Sequence, residues 1–485
     1  MKFIVKLFPE ITIKSKPVRR RFIQRLQSNL QIILKRIDAA IGVNGVWDKV
    51  EVNVRSEDPA VQEAVIEALG TTPGIAYFLQ VKEYPLGDFH DVFERTRDAY
   101  AAQLEGKSFV VRAKRAGKHE FSSTDLERYI GGGLLQHTGA TRVDLHHPQV
   151  TVQIEVRDQR LFVIEARYPG LGGFPIGSLE GVLSLISGGF DSTVSSYLTL
   201  KRGCKTHYCF FNLGGAAHET GVKQVSHYLW RRYSSSHRVK FVTVPFEGVV
   251  EEILKSVHHS QMGVVLKRMM MRAGDAVAER LGIDALVTGE SVAQVSSQTL
   301  PNLALIDTVI NRLVLRPLVV SDKQDIIDTA RAIGTFEFAE TMPEYCGVIS
   351  DRPTTHARRD RIEREEAAFD MTVLERAIAD ARVISIDQIA QEARSQVEVE
   401  TEQQVSADEV VIDIRHPDEE EQAPLRVEGI KVLKIPFYSI GSRFAELDSD
   451  RSYLLYCPKG VMSQLHALYL KDQGFSNVKV YRPSK

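Results

Sequence analysis

The sequence predicts a multidomain chain of mixed α+β and α/β folds whose largest part is a doubly wound parallel sheet. Three observations carry this. At 485 residues the chain is long enough for about three domains of roughly 150 residues each. From "GVLSLIS" to "LVLRPLVV", apolar strands alternate with helical stretches, the signature of parallel α/β architecture. A Gly- and Pro-rich run, "YPGLGGFPIGSLEG" (168–181), separates that texture from a different one before it and reads as a linker.

The elements follow in order. "KFIVKLF" alternates like a half-buried strand, and "KPVRRRFIQRLQSNLQIILKRI" has the periodicity of an amphipathic helix. Strand "KVEVNV" and helix "DPAVQEAVIEAL" complete a first α+β module, 1–75. A second, 76–170, contains strand "SFVVRAKR", helix "SSTDLERYIGGGLLQHTG" and strands "QVTVQIEVRD" and "RLFVIEARY", the last two joined as a hairpin at "RDQR". The α/β region spans 175–395. A last unit, 404–485, offers strands "EVVIDI", "KVLKIP", "YLLYC" and "VKVY".

Composition excludes several classes. No apolar run reaches the ~18 residues of a membrane span, and the start lacks a secretory pattern. Four cysteines in so long a chain make no disulfide framework, so reduced thiols and a cytoplasmic location are expected. No CxxC pair or Cys/His cluster points to structural zinc. The net charge of −2 hides an asymmetry. Residues 1–37 carry ten Lys/Arg, among them Lys14, Lys16, Arg19, Arg20, Arg21 and Arg25, against Glu10 alone. Residues 392–421 carry eleven acids against Arg394 and Arg415, which reads as an acidic linker. With Arg112, Lys114, Arg115 and Lys118, the basic front suggests a polyanionic partner; the alternative is a solvated charged face.

The sharpest signal is "VLSLISGGFDSTVSSYL". A strand ends in Ser187-Gly188-Gly189-Phe190-Asp191-Ser192 and runs straight into a helix. Glycines let the backbone approach a phosphate, and free N–H groups at the helix start point toward it. Ser187 and Ser192 add hydroxyls, and Asp191 is placed to hold Mg2+ or orient reacting groups. No Lys follows the glycines as in a Walker A loop. The loop resembles the pyrophosphate-binding loop of N-type ATP pyrophosphatases, which adenylate a carbonyl oxygen. Adenylation turns a poor oxygen leaving group into AMP, which a sulfur nucleophile can displace.

The sulfur candidate lies in "YLLYCPKGVMS". A strand delivers Cys457 to a loop and helix start that would favour a thiolate; alternatively the cysteine simply packs in a core. Cys204 and Cys209 lie at an apolar strand and read as buried small hydrophobes.

Taken with "FNLGGAAHE" (211–219), "TGESVAQVSSQTL" (288–300), "RPLVVSDKQDII" (316–327) and "PEYCGVIS" (343–350), the chain resembles the tRNA 4-thiouridine synthetase family in its long form. The resemblance implies a ferredoxin-like module, a THUMP RNA-binding domain, a PP-loop ATP pyrophosphatase domain and a C-terminal rhodanese domain. It implies 4-thiouridine formation at position 8 of tRNA, with a cysteine desulfurase as persulfide donor. Thiazole synthesis for thiamine, through a sulfur-carrier protein, is a possible second service. ATP with Mg2+ is implied. By motif, Asp191 and Lys323 are catalytic, and Ser187, Gly188, Gly189, Ser192, Gly289 and Gln298 bind the nucleotide. His218 is a pocket residue or a structural histidine. Cys346 is implied as the partner of Cys457 in a redox-active disulfide that a reductant reopens.

The rhodanese resemblance has a departure. Pro458 and Met462 stand where many such loops carry Arg, leaving Lys459 as the loop's cation. That suits a protein persulfide better than thiosulfate. Two rivals remain open: an ATP pyrophosphatase acting on another substrate, and a persulfide carrier with a vestigial ATP domain.

Overall fold

The structure is a computed structural model. It describes residues 1–46, 49–213, 215–340, 342, 352–389, 400–406, 408–415, 420, 423–427, 429–435, 440–458, 463, 466–467, 470–471 and 473–483. Cys346, Lys459 and Met462 lie outside the described residues. Contacts divide the chain into two units, Met1–Ser178 with Lys201–Gly203, and Leu179–Leu200 with Cys204–Lys485.

The first unit is built on eight strands: β1 (Lys2–Leu7), β2 (Gly42–Val46), β3 (Lys49–Asn53), β4 (Ile75–Pro85), β5 (Ser108–Ala116), β6 (Arg142–Val143), β7 (Val150–Arg157) and β8 (Arg160–Gly172). Their order is β2-β3-β1-β4-β8-β7-β5-β6, antiparallel except where β5 meets β6 and β7. Alternation in β1 sends Phe3, Val5 and Leu7 against Phe22, Leu26 and Leu30 of the helix Lys16–Leu34. Ile4 points the other way, to Leu79 and Phe162. Asp58 caps the helix Pro59–Thr71, and Ser122 with Asp125 forms a capping box on Ser123–His137. Asp158, at φ 50°, turns the anticipated hairpin between β7 and β8.

Two readings of this region need correction. Strand β4, which the sequence pattern does not announce, pairs with both β1 and β8 and so runs one sheet through both modules. The expected linker 168–181 is strand at its start, since β8 continues to Gly172 with Tyr168 stacked on Phe78 at 5.1 Å.

The second unit carries β9 (Gly181–Leu185), β10 (Lys205–Asn212), β11 (Lys240–Pro245), β12 (Ala285–Val287), β13 (Leu313–Leu315) and β14 (Arg382–Ser385). The order is β13-β12-β9-β10-β11-β14, parallel apart from the antiparallel edge β14. This is the anticipated doubly wound sheet, with a core on each face. Cys209 and Phe211 join the methionine-rich helix Met262–Leu281, while Tyr208 and Phe210 join Val222 and Val225. The long "LVLRPLVV" run shrinks to β13, because Arg316 turns away to pair with Glu290 and Asp307.

The same unit holds a third sheet: β15 (Thr401–Glu402), β16 (Val410–Asp413), β17 (Val432–Lys434), β18 (Tyr453–Tyr456) and β19 (Val478–Tyr481). Its order is β15-β19-β18-β16-β17, and every pairing is parallel. The acidic stretch is therefore partly sheet. Glu402 and Glu409 pair with Lys479, and Asp413 pairs with Arg415.

Candidate active site

Parallel sheets bind ligands where the winding direction reverses, beyond the carboxyl ends of the strands. From β9 the chain winds outward through β10 and β11, then returns to β12 on the other side. The switch point thus lies between β9 and β12. The loop 187–192 leaves β9, and the segment Thr288-Gly289-Glu290-Ser291 leaves β12.

The phosphate loop is internally tied. The Ser187 N–H donates to Ser192 Oγ at 3.1 Å, and the two hydroxyls are also 3.1 Å apart. Gly188 sits at φ +88°, a conformation that favours glycine. The helix Phe190–Lys201 begins on Asp191 and Ser192, with Thr193 N–H donating to the Gly189 carbonyl at 3.2 Å. His218 Nε2–H donates to the Ser187 carbonyl at 3.1 Å while its ring stands edge-on to Phe210. Burial lowers its pKa against the raising pull of that carbonyl, so the ring is neutral at pH 7. His218 thus has a buttressing role on the loop.

Asp191 is the hub. Lys323 Nζ, at the start of the helix Lys323–Ala332, donates to its carboxylate at 2.8 and 3.1 Å. Gln294 Nε2 donates to the same group at 2.7 Å. Two of the predicted catalytic residues, Asp191 and Lys323, are therefore in contact, while Cys346 lies outside the described residues. Gly289 fits directly against them: a Cβ there would lie 2.6 Å from the Asp191 carbonyl carbon and the Ser192 nitrogen. Gln298 is buried, and among the described residues its Oε1 has no hydrogen-bond partner. An orphaned buried acceptor is costly unless a ligand satisfies it.

Sequence reasoning did not single out Gln294, although it lies between Gly289 and Gln298 in a quoted motif. It also missed the ion cluster beneath. Glu290 accepts from Thr288 at 2.8 Å and from Arg316 at 2.7 Å, and Arg316 grips Asp307. Burial opposes ionisation of Glu290, but Lys267 and Arg316 nearby hold its carboxyl below the usual range. Glu219 is a second missed hub, joining Asn212, Thr243, Lys223 and Arg382.

The C-terminal sheet repeats the logic. Its winding reverses between β16 and β18, and Cys457 follows β18 at that point. Cys457 is 8% exposed; the Ser463 N–H donates to its sulfur at 3.4 Å, and Ser463 Oγ lies at 3.4 Å. Arg415, just past β16, lies 5.4 Å from the Tyr456 ring but is engaged by Asp413 at 2.5 Å. Pro458 is exposed. Cys209 is buried in the core, and burial pushes its thiol pKa up.

In the first unit Lys14, Lys16, Arg20, Arg21 and Arg25 are exposed, as are Arg112, Lys114, Arg115 and Lys118. Arg19 is half-buried and donates to the Thr12 carbonyl at 3.3 Å. Among the described residues no helix is long and apolar enough to cross a membrane.

Comparison with known proteins agrees with this arrangement. Residues 2–78 match the ThiI ferredoxin-like domain, residues 87–164 the THUMP domain, and residues 177–371 the family described as Thiamine biosynthesis protein (ThiI). A tRNA sulfurtransferase of Azotobacter vinelandii is 58% identical over 484 residues, covering 100% of both chains. One of Escherichia coli O139:H28 is 56% identical, also over 100% of both. Among solved structures, a 4-thiouridine synthetase in complex with RNA and bound ATP is similar at TM-score 0.70 and 25% identity. It covers 79% of this chain and 99% of that one. A THUMP domain ahead of a switch-point phosphate loop defines a tRNA-modifying enzyme. The chain belongs to the tRNA sulfurtransferase family, and the reaction it serves is sulfur transfer to tRNA.

Proposed function

We propose that the chain makes 4-thiouridine at position 8 of tRNA by adenylating the uridine carbonyl oxygen and replacing it with sulfur carried on Cys457. The observation that carries this reading is the convergence of Lys323, Gln294 and Gly289 on Asp191 at the switch point. ATP and RNA are bound by the solved 4-thiouridine synthetase, which supports the same substrates here. Ser187, Gly188, Gly189 and Ser192 would cradle the pyrophosphate end of ATP. Lys323, released from Asp191, would neutralise charge on the transferring phosphoryl group. Gln298 would offer its orphaned oxygen to a hydrogen-bond donor of the nucleotide, and Gly289 lets its loop lie against the helix start.

Mg2+ fits as an ion held by substrate phosphates with the Asp191 carboxylate, since Mg2+ commonly takes one or two protein carboxylates. It would supply charge neutralisation.

Sulfur enters from a cysteine desulfurase as a persulfide on Cys457. The terminal sulfur attacks the adenylated carbon and AMP leaves. Cys346 then attacks the inner sulfur, freeing the thiolated base and leaving a Cys346–Cys457 disulfide, which a two-electron reductant opens. If Cys346 attacks first, sulfide is released as the nucleophile and the balance is the same. The parallel C-terminal sheet supports a rhodanese-like domain; the partition 1–75, 76–170, 175–395 and 404–485 then shifts at two boundaries, to take in β8 up to Gly172 and β15 from Thr401. The thiamine-related description matched by 177–371 favours a second service, sulfur supply through a carrier protein for thiazole synthesis. Free buried thiols such as Cys209 fit a cytoplasmic setting.

The test is pyrophosphate release with tRNA, which reports adenylation alone. Asp191→Asn should lose it while Cys457 still loads with persulfide, and Cys457→Ser should release pyrophosphate without forming AMP or thiolating tRNA. If Asp191→Asn thiolates tRNA normally, the persulfide-carrier alternative is right.

A further inference from the structure

The helix Gly215–Leu229 has two buried faces, and the second carries information. Its sheet-facing stripe includes Val222 and Val225, which pack with Ile186 next to the phosphate loop. His218, on the same helix, holds the Ser187 carbonyl. Gln224 lies about 100° around the axis from Val225 and about 200° from Val222, off that stripe. A glutamine there would ordinarily be solvated, yet Gln224 is only 7% exposed. What it meets is His466 of the C-terminal sheet's layer, 8% exposed, with the Gln224 amide and His466 Nε2 3.5 Å apart. Burial holds the His466 pKa down at about 4, so the ring is neutral and one nitrogen is able to accept from the amide.

His466 connects back to the sulfur. It is helical and lies three residues beyond Ser463, whose N–H and hydroxyl meet Cys457 Sγ. A single helix therefore touches the phosphate loop through His218 and, about 9 Å further along its axis, the Cys457 layer through Gln224. Buried polar pairs specify one register better than apolar contacts do, because misplacement leaves both groups unsatisfied.

We propose that Gln224 and His466 form a docking latch that seats the Cys457 module on the helix buttressing the phosphate loop, making both positioning residues for sulfur delivery. The inference rests on the reading of Cys457 as the sulfur donor. The latch does not touch the reacting atoms, so it acts on delivery and not on loading or adenylation.

The test uses full-length Gln224→Ala, His466→Ala and the double variant. Cys457 is loaded by a desulfurase with cysteine, loading is read from the mass of its peptide, and transfer to tRNA with MgATP is followed in a single turnover. Each single variant should load and release pyrophosphate as the wild type does but transfer sulfur, and expel AMP, roughly fivefold more slowly or worse. The double variant should be no slower than the slower single. Hydrogen exchange in 215–229 should rise in His466→Ala. Unchanged transfer, effects that multiply, or loading that falls in step with transfer would each overturn the latch. If the loaded wild type transfers no sulfur, the donor reading fails instead. Exchange in 215–229 then decides the docking alone, and unchanged exchange rejects it.

Discussion

At the scale of single residues, the phosphate site depends on contacts that leave no slack. Asp191 accepts from Lys323 and Gln294 at once, so Asp191→Asn breaks an ion pair and reorients both donors. AMP formation should fall by about 10²–10³, the usual cost of removing a preorganised electrostatic contact; rapid-quench analysis of labelled ATP checks it. Gly289→Ala places a methyl 2.6 Å from backbone atoms that no rotamer change can move. Overpacking of that kind costs about 1–3 kcal/mol, and ATP affinity should weaken with it, as thermal melts with and without ATP would show. Asp191 was legible because loop chemistry is written locally, as a strand, small residues, then a helix, whereas Lys323 and Gly289 were marked only by the motifs of the family resemblance. Gln294 was not, since a glutamine in a loop has no local signature and its role appears only when β12 is laid beside β9. His218 was left open between pocket and structural roles for the same reason, and only the Ser187 carbonyl assigns it.

At the scale of elements, buried charge holds loops and strands in register. Burial would favour the neutral acid at Glu290, but Lys267 and Arg316 keep it ionised beneath the loop that follows β12. Arg316→Met should destabilise the second unit by about 3–5 kcal/mol, more than removing an exposed pair, as urea melts of the full chain would show. In the first unit, burial works against ionised Glu51, but the Lys2 and Lys49 ammonium groups paired with it hold its pKa at about 2. A lowered folded-state pKa stabilises above the ordinary carboxylate range and is lost as pH falls toward the folded value. The unit should therefore lose stability between about pH 4.5 and pH 2, and Glu51→Gln should flatten that slope. Strand β1 was readable from its alternation, but β4 was not. Its sequence "IAYFLQVKEYP" buries residues against different partners along its length, and its pairing with β8 shifts register twice. The acidic stretch misled for a related reason: charge suggested solvent, but Glu402, Glu409 and Asp413 are each neutralised by a partner distant or local in sequence.

At the scale of the whole molecule, the chain combines a basic front with two switch-point sites, which the proposed function uses for RNA binding, activation and sulfur transfer. Exposed Lys14, Lys16, Arg20, Arg21 and Arg25, together with Arg112, Lys114, Arg115 and Lys118, should make tRNA affinity salt-dependent. Binding should weaken roughly tenfold or more between about 50 and about 200 mM salt, and reversing Arg20 and Arg21 to Glu should flatten that dependence in filter-binding titrations. The central claim, that one chain activates a tRNA oxygen with ATP and replaces it with sulfur from Cys457, has a direct measurement. The full chain is loaded with labelled persulfide at Cys457, freed of donor, mixed with tRNA with and without MgATP, and the nucleosides are analysed by mass spectrometry. The label should appear in 4-thiouridine at position 8 only with ATP, with AMP formed in step, and not at all from Cys457→Ser. Labelled 4-thiouridine without ATP consumption, or undiminished 4-thiouridine from the Cys457→Ser enzyme supplied with desulfurase and cysteine, would contradict it.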